Sequence, residues 1–221
     1  MSLDLQQYKT LVFDCDGVVL DSNQLKTEAY YRVAVGFGAN HEQAQALVDY
    51  HVRLGGISRF IKFRYFLEEI LHQPITDDAM AELLESFAEE IHRGLLVCEM
   101  APGLIELRET FRNARWMLVS GGDQTELRTL FAERGIDELF DAGIFGSPDN
   151  KDVILEREAE NRNLPKPAIF FGDSRYDHEA AIRAGLDFVF VSQWTELQDW
   201  QAYCSQHNIT VIERLSDAYS R

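Results

Sequence analysis

Short apolar runs recur along this chain, yet none falls between about residues 22 and 96, and that strandless stretch most restricts the fold. The clear runs are Thr10–Phe13, 116–119, 168–171 and 188–191, with weaker ones at 142–145 and 209–212. They are continuous rather than alternating, as expected of strands covered on both faces in a parallel sheet. Helical periodicity over 123–134, 151–163 and 176–184 separates them, which predicts an α/β domain of three layers. Within the strandless stretch, residues 24–35, 41–52, 58–71 and 77–92 each carry apolar residues at helical spacing. About four helices are therefore inserted between the first and second strands. The expected division is a core of residues 1–20 and 97–221 and a helical cap of residues 21–96.

Bulk properties narrow the function classes. The 221 residues are 46% hydrophobic and 26% charged, the composition of a soluble globular chain without repeats. A net charge of -16 argues against a nucleic-acid or anionic-membrane surface. Cys15, Cys98 and Cys204 are odd in number, far apart and without CxxC spacing, which favours a reducing compartment over a disulfide scaffold or zinc site. The polar segment 1–9 predicts no secretory signal, and no apolar run approaches a membrane span. A cytoplasmic location is expected, and the sequence leaves the oligomeric state open.

In an open parallel sheet, ligands bind beyond the carboxyl ends of the strands. Asp14 and Asp16 follow the first run, and Ser120, Gly121 and Gly122 follow the second. Lys151 lies past the third, in a loop or at a helix start. Gly172, Asp173 and Ser174 follow the next run, with Asp177 one helical turn on. Adjacent strands would bring these groups to one site. Carboxylates, a lysine, a hydroxyl and glycine amides in one place suit a hard cation and a phosphate. Asp14 and Asp173 offer oxygen ligands for Mg²⁺, and Asp14 can attack phosphorus to form an acyl phosphate. Asp16 can protonate the leaving oxygen and then activate water, which requires its pKa to lie above that of the metal-bound Asp14. Ser120 and the following amides can hold phosphoryl oxygens that Lys151 neutralises.

Each group also has a plain structural reading. Two acids after a strand form turns and caps, and Asp123 with Glu126 has the form of a helix start. Lys151 could be a solvated surface lysine. Ser174 and Asp177 fit a capping box, so Asp177 is either a metal ligand or a cap. Cys15 is either a reactive thiol or a small spacer between two acids.

Taken together, these residues resemble the haloacid dehalogenase superfamily, in particular its phosphatases with a C1-type helical cap after the first strand. The first motif, DxDGVxxD, stands as Asp14-Cys15-Asp16-Gly17-Val18-Val19-Leu20-Asp21. The second motif is Ser120, the third Lys151, and the fourth runs from Gly172 through Asp173 to Asp177. The resemblance implies a Rossmann-like core, Mg²⁺, Asp14 as nucleophile and Asp16 as acid/base. It also implies that the Asp16 carbonyl joins Asp14 and Asp173 around the metal, with Asp177 assisting. The lysine motif departs from the frequent Gly-Lys-Pro form. Lys166-Pro167 is the competing lysine, but it precedes a strand and so lies at the wrong end of the sheet. Asp16 argues against dehalogenation, which needs no leaving-group acid. Phosphonatases use a cap lysine as a Schiff base and usually lack the second Asp, so Lys62 is a poor candidate for that role.

Residues 53–64 carry Arg53, Arg59, Lys62 and Arg64 without an acid, a local reversal of sign in an acidic chain. The stretch is either a solvated basic helix face or a substrate grip. Gly55-Gly56 permits a tight turn toward the site, and the Gly-Ile-Ser-Arg segment resembles the cap loop of the phosphoglycolate phosphatase and β-phosphoglucomutase branch. Arg53 and Arg59 are therefore expected to bind the organic part of the substrate. The expected function is Mg²⁺-dependent hydrolysis of a small phosphorylated metabolite, either a sugar phosphate or an acidic phosphoester. The alternatives are a phosphosugar mutase of the β-phosphoglucomutase type and a phosphoaspartate signalling module.

Overall fold

The strand patterns resolve into one six-stranded parallel sheet in the computed structural model, which describes residues 4–219. Residues 1–3, at the head of the polar segment read above, lie outside that range. The strands are β1 (Thr10–Phe13), β2 (Arg115–Asp123), β3 (Gly143–Ser147), β4 (Ala168–Gly172), β5 (Asp187–Val191) and β6 (Thr210–Ile212), in the spatial order β3-β2-β1-β4-β5-β6.

β1 shows why its pattern is unbroken. Leu11 and Phe13 point into one buried cluster, while Val12 points into a second with Met117, Val119 and Phe170. Phe13 stacks on Phe171 of β4 at 5.2 Å and lies 4.5 Å from Trp116 of β2, tying the three central strands together. Such ring pairs add about 1 kcal/mol beyond the area they bury. The two weak sequence runs became the edge strands β3 and β6. An edge strand covers less apolar surface, and β6 leaves Thr210 and Val211 exposed.

The strandless stretch folds as α1 (Asn23–Gly36), α2 (His41–Arg53), α3 (Arg59–Tyr65) and α4 (Asp77–Val97). The helix read over 58–71 is divided: α3 passes into a π-helical turn over Phe66–Ile70. Asn40 with Gln43 forms a capping box on α2, and Thr76 caps α4. The helices pack through Tyr30, Leu47, Phe63 and Phe87, all buried. Full burial stabilises by about 2 kcal/mol per side chain of this size.

The remaining helices are α5 (Leu104–Thr110), α6 (Gln124–Glu133), α7 (Lys151–Glu160), α8 (Arg175–Arg183) and α9 (Trp200–Gln206). α5 and α9, of seven residues each, are too short for helical periodicity to show in sequence. Two backbone bonds, Asp21 to Glu99 and Ala101 to Val19, pair the outgoing and returning connections of the helical insertion.

Candidate active site

Two strand ends and two helix starts converge on one carboxylate cluster. Asp14 follows β1, Asp173 follows β4, and Asp177 lies in the first turn of α8. One oxygen from each lies within 4.8 Å of the others, and all three residues are buried. Lys151, the first residue of α7, sends its Nζ between them, 2.8 Å from Asp14 and 2.5 Å from Asp177. It is therefore no surface lysine. Lys166 lies away from this cluster, donating to the Ala184 carbonyl.

Three buried carboxylates face one ammonium, and the imbalance shows in their proton affinities. Burial and the Asp177 charge push Asp14 up to about 7, although Lys151 pulls it down. Burial and the charges of Asp14 and Asp177 push Asp173 well above the carboxylate range. Burial opposes the charge on Lys151, but Asp14 and Asp177 outweigh it and hold the amine above its ordinary value. A hard divalent cation fits this donor set, because carboxylate oxygens bind it and its charge offsets their repulsion.

Asp177 also forms the capping box. Its carboxylate accepts from the Ser174 backbone and hydroxyl, while its own N–H donates to Ser174 Oγ. Gly17 shows how tightly the first motif is folded over the cluster. Its φ is +78°, and a Cβ there would come within 2.1 Å of Asp173 Oδ2.

Asp16 has different neighbours. Lys26 Nζ lies 2.6 Å from its carboxylate, and Ser22 Oγ donates to it at 2.5 Å. Burial would raise its pKa, but Lys26 and Ser22 outweigh burial and hold it below the usual carboxylate range. The order expected from sequence, Asp16 above Asp14, is for an Asp14 that carries a metal; by their protein neighbours alone Asp14 is raised and Asp16 lowered. Asp16 meets a lysine, whereas Asp14 faces other carboxylates.

Ser120, Gly121 and Gly122 do not end β2 but continue it to Asp123, with an irregular register beyond Val119. Ser120 is buried and its Oγ accepts from the Gly122 N–H at 3.0 Å. Asp123 caps α6 by accepting from the N–H groups of Thr125 and Glu126. Cys15 is buried, with its thiol pushed well up by burial, so it acts as a spacer.

The helical insertion closes the other side. A Cβ on Gly121 would meet the Gly56 carbonyl oxygen at 2.4 Å, so the 55–56 turn rests directly on the core. A cavity of about 250 Å³ lies between, lined by Asp14, Asp16 and Asp173 below and by Tyr30, His51 and Lys62 above. The four charges of residues 53–64 part ways. Arg53 lines the rim exposed, beside the Tyr50 ring. Arg59 is buried, stacked over Phe87 at 4.9 Å, and ion-paired with Glu126 of α6 at 2.8 Å. Lys62 is buried in the cavity wall and Arg64 is exposed.

Several site residues escaped sequence reasoning. Asn23 donates to Asp173 at 2.7 Å and to the Trp194 carbonyl, and Thr195 Oγ1 donates to the Asp173 carbonyl. Lys26, His51, Lys62 and Glu196 also line the cavity. Asn23 and Lys26 follow the first motif closely and sit one turn apart on the same face of α1, a signal that spacing could have given. The 194–196 loop had no such signal.

The family model for haloacid dehalogenase-like hydrolases matches residues 8–185, and the chain belongs to that family. It is an enzyme, a hydrolase of the phosphatase kind. It is 26% identical over 195 residues to the phosphorylated carbohydrates phosphatase of Thermotoga maritima, covering 82% of this chain and 84% of that protein. Among solved structures it resembles a predicted phosphoglycolate phosphatase from Haemophilus somnus, with a TM-score of 0.68, 18% identity and coverage of 85% and 86%. It also resembles a phosphonoacetaldehyde hydrolase-like protein from Oleispira antarctica, with a TM-score of 0.71, 17% identity and coverage of 96% and 90%. Identities this low speak for the fold alone.

Proposed function

We propose that the protein is a Mg²⁺-dependent phosphatase that hydrolyses a small phosphorylated metabolite through an aspartyl-phosphate on Asp14. The observation that carries this reading is the convergence of Asp14, Asp173, Asp177 and Lys151 beneath a covered cavity. Asp14, Asp173 and the Asp16 carbonyl would hold Mg²⁺, with Asp177 assisting from its place in the helix cap. When bound, Mg²⁺ supplies positive charge that lowers Asp14 and offsets its repulsion of an anionic ester.

Asp14 attacks phosphorus, splitting one difficult hydrolysis into two steps. Lys151 neutralises phosphoryl oxygens, and Ser120 with the neighbouring amides holds them in place. Asp16 in its protonated form gives its proton to the leaving oxygen and, now a carboxylate, draws one from the attacking water. Lys26 and Ser22 favour the carboxylate that the first step leaves on Asp16, the form required for the second.

Residues 21–96 act as a cap on a core of 1–20 and 97–221, excluding bulk water from the acyl phosphate. The cavity suits a sugar phosphate or an acidic phosphoester rather than a macromolecule. The name of the Thermotoga maritima relative supports a phosphorylated carbohydrate. Unpaired cysteines support a cytoplasmic setting, and among the described residues no helix is long and apolar enough to cross a membrane.

The test is a screen of phosphorylated metabolites for free phosphate, run beside Asp14→Asn. Turnover should fall by a factor on the order of 10⁴ or more in a folded variant, as when other covalent nucleophiles are removed. Retained activity would remove Asp14 from its role, and isomerised sugar phosphate without free phosphate would replace the phosphatase reading with a mutase.

A further inference from the structure

Lys62 is buried, 3% exposed, in the wall of the cavity. Among the described residues no carboxylate lies within ion-pair distance of it, although acids stand nearby. Each of those acids has another partner. Asp16 is held by Lys26 and Ser22, Glu196 accepts from Thr27 Oγ1 at 2.8 Å, and Glu126 pairs with Arg59. The Lys62 amine instead contacts Nδ1 of His51 at 2.7 Å, and it lies 5.5 Å from the centre of the Tyr30 ring. Burial and the charges of Lys26 and Lys62 keep His51 neutral at physiological pH, so its Nδ1 accepts and leaves Lys62 with two further N–H donors.

A buried cation without a counter-ion destabilises a fold. Methionine or leucine would fill the same place at lower cost. Burial and the Lys26 charge push the amine down to about 7, while Asp16 and Glu196 support its charge only from a distance. The position is therefore poorly explained by stability, and it opens on the same cavity as Asp14.

We propose that Lys62 is an anion-binding subsite in the cap half of the cavity, selecting phosphomonoesters that carry a second anionic group at the end away from the phosphorus. His51 is a positioning residue, orienting the amine from behind. The inference rests on the phosphomonoester reading above and deepens it. The second group is a carboxylate or a further phosphate, since both offer the oxygens an ammonium binds.

The test uses the full chain with Mg²⁺ and esters of two to four carbons that differ only in the far group: hydroxyl, carboxylate or phosphate. For wild type, kcat/KM should favour at least one anionic tail over hydroxyl by about 10- to 100-fold, the size of a charge-assisted hydrogen bond. The carboxylate and phosphate arms then identify which anion is read. In Lys62→Met that ratio should collapse toward one, mainly through KM, and the unfolding midpoint should rise or hold. A wild type without anion preference, or a variant that keeps it, overturns the subsite. A variant that loses stability as well as preference assigns Lys62 a structural role and also overturns it. If wild type releases phosphate from none of the esters, the phosphatase reading fails separately. The subsite is then judged by calorimetric binding of 3-phosphonopropanoate against propylphosphonate, where equal affinities in wild type overturn it.

Discussion

The floor and the roof of the cavity carry opposite imbalances of charge. Below, Asp14, Asp173 and Asp177 share the single ammonium of Lys151. Above, Lys26 and Arg59 are matched by Asp16 and Glu126, while among the described residues no acid lies within ion-pair distance of Lys62. Neither surface is balanced by its own side chains. The floor fits a cation, the roof fits an anion, and a phosphorylated acid held with Mg²⁺ would complete both. A chain with a net charge of -16 can receive an anion here because the cavity lining gathers Lys26, Arg53, Arg59, Lys62 and Arg175, five bases that equal its five acids in number.

Removing one side of the floor should have the largest effect. Asp173→Asn should abolish Mg²⁺ dependence and lower turnover by a factor on the order of 10³, since a metal supplies several kcal/mol at about 1.4 kcal/mol per tenfold. Steady-state kinetics across a Mg²⁺ titration check this. Activity that still rises normally with Mg²⁺ would place the metal elsewhere.

A second test reads floor and roof as opposite limbs of one stability profile in chelator. Asp14 and Asp173 have folded pKa values raised above those of the unfolded chain. The stability they contribute is full below about pH 4 and is lost as pH rises toward neutrality. Lys62 has a folded pKa lowered to about 7, so the unfolded chain binds more protons above that point and stability climbs again. Asp173→Asn should therefore gain several degrees in melting temperature relative to wild type between about pH 5 and pH 7. Lys62→Met should gain most at and below about pH 7 and less toward pH 9. His51, held neutral by burial and by the charges of Lys62 and Lys26, acts against the acidic limb, and Lys62→Met weakens that opposition. Parallel profiles would dissolve the contrast between the two surfaces.

The smallest effect is expected where the surfaces are latched together. Glu126→Gln leaves the buried Arg59 guanidinium without its carboxylate, although Glu126 itself is 42% exposed. The expected loss is about 1 to 2 kcal/mol by chemical denaturation, below that of a fully buried pair because solvent screens the glutamate. An unchanged midpoint would mean that Arg59 is held by Phe87 and its packing alone.

Much of this arrangement was legible in the chain. Leu11, Val12 and Phe13 form an unbroken apolar run because β1 is covered on both faces, and that pattern is local. The residue after such a strand stands at the ligand-binding edge of the sheet, so the positions of Asp14 and Asp173 follow from sequence. The break between residues 22 and 96 likewise announced the helical insertion. Helix-start chemistry at Ser174 and Asp177 was readable too, but a capping box looks the same with or without a further duty.

Partnership was not legible, because an ion pair depends on distance through space rather than along the chain. Arg59 reads as a candidate substrate grip, but its partner is hidden until α3 is placed against α6, where Glu126, 67 positions further along the chain, pairs with its guanidinium at the cavity wall. Asp16 reads as an acid/base two residues from Asp14, with nothing in its spacing to show that α1 turns Lys26 toward it. Lys62 reads as one more charge on a basic helix until packing buries it beside His51, with no carboxylate among the described residues within ion-pair distance. Local pattern set which residues stand at the strand ends. Tertiary packing alone decided which charges are satisfied and which remain for a ligand, since electrostatic energy is fixed by separation and burial.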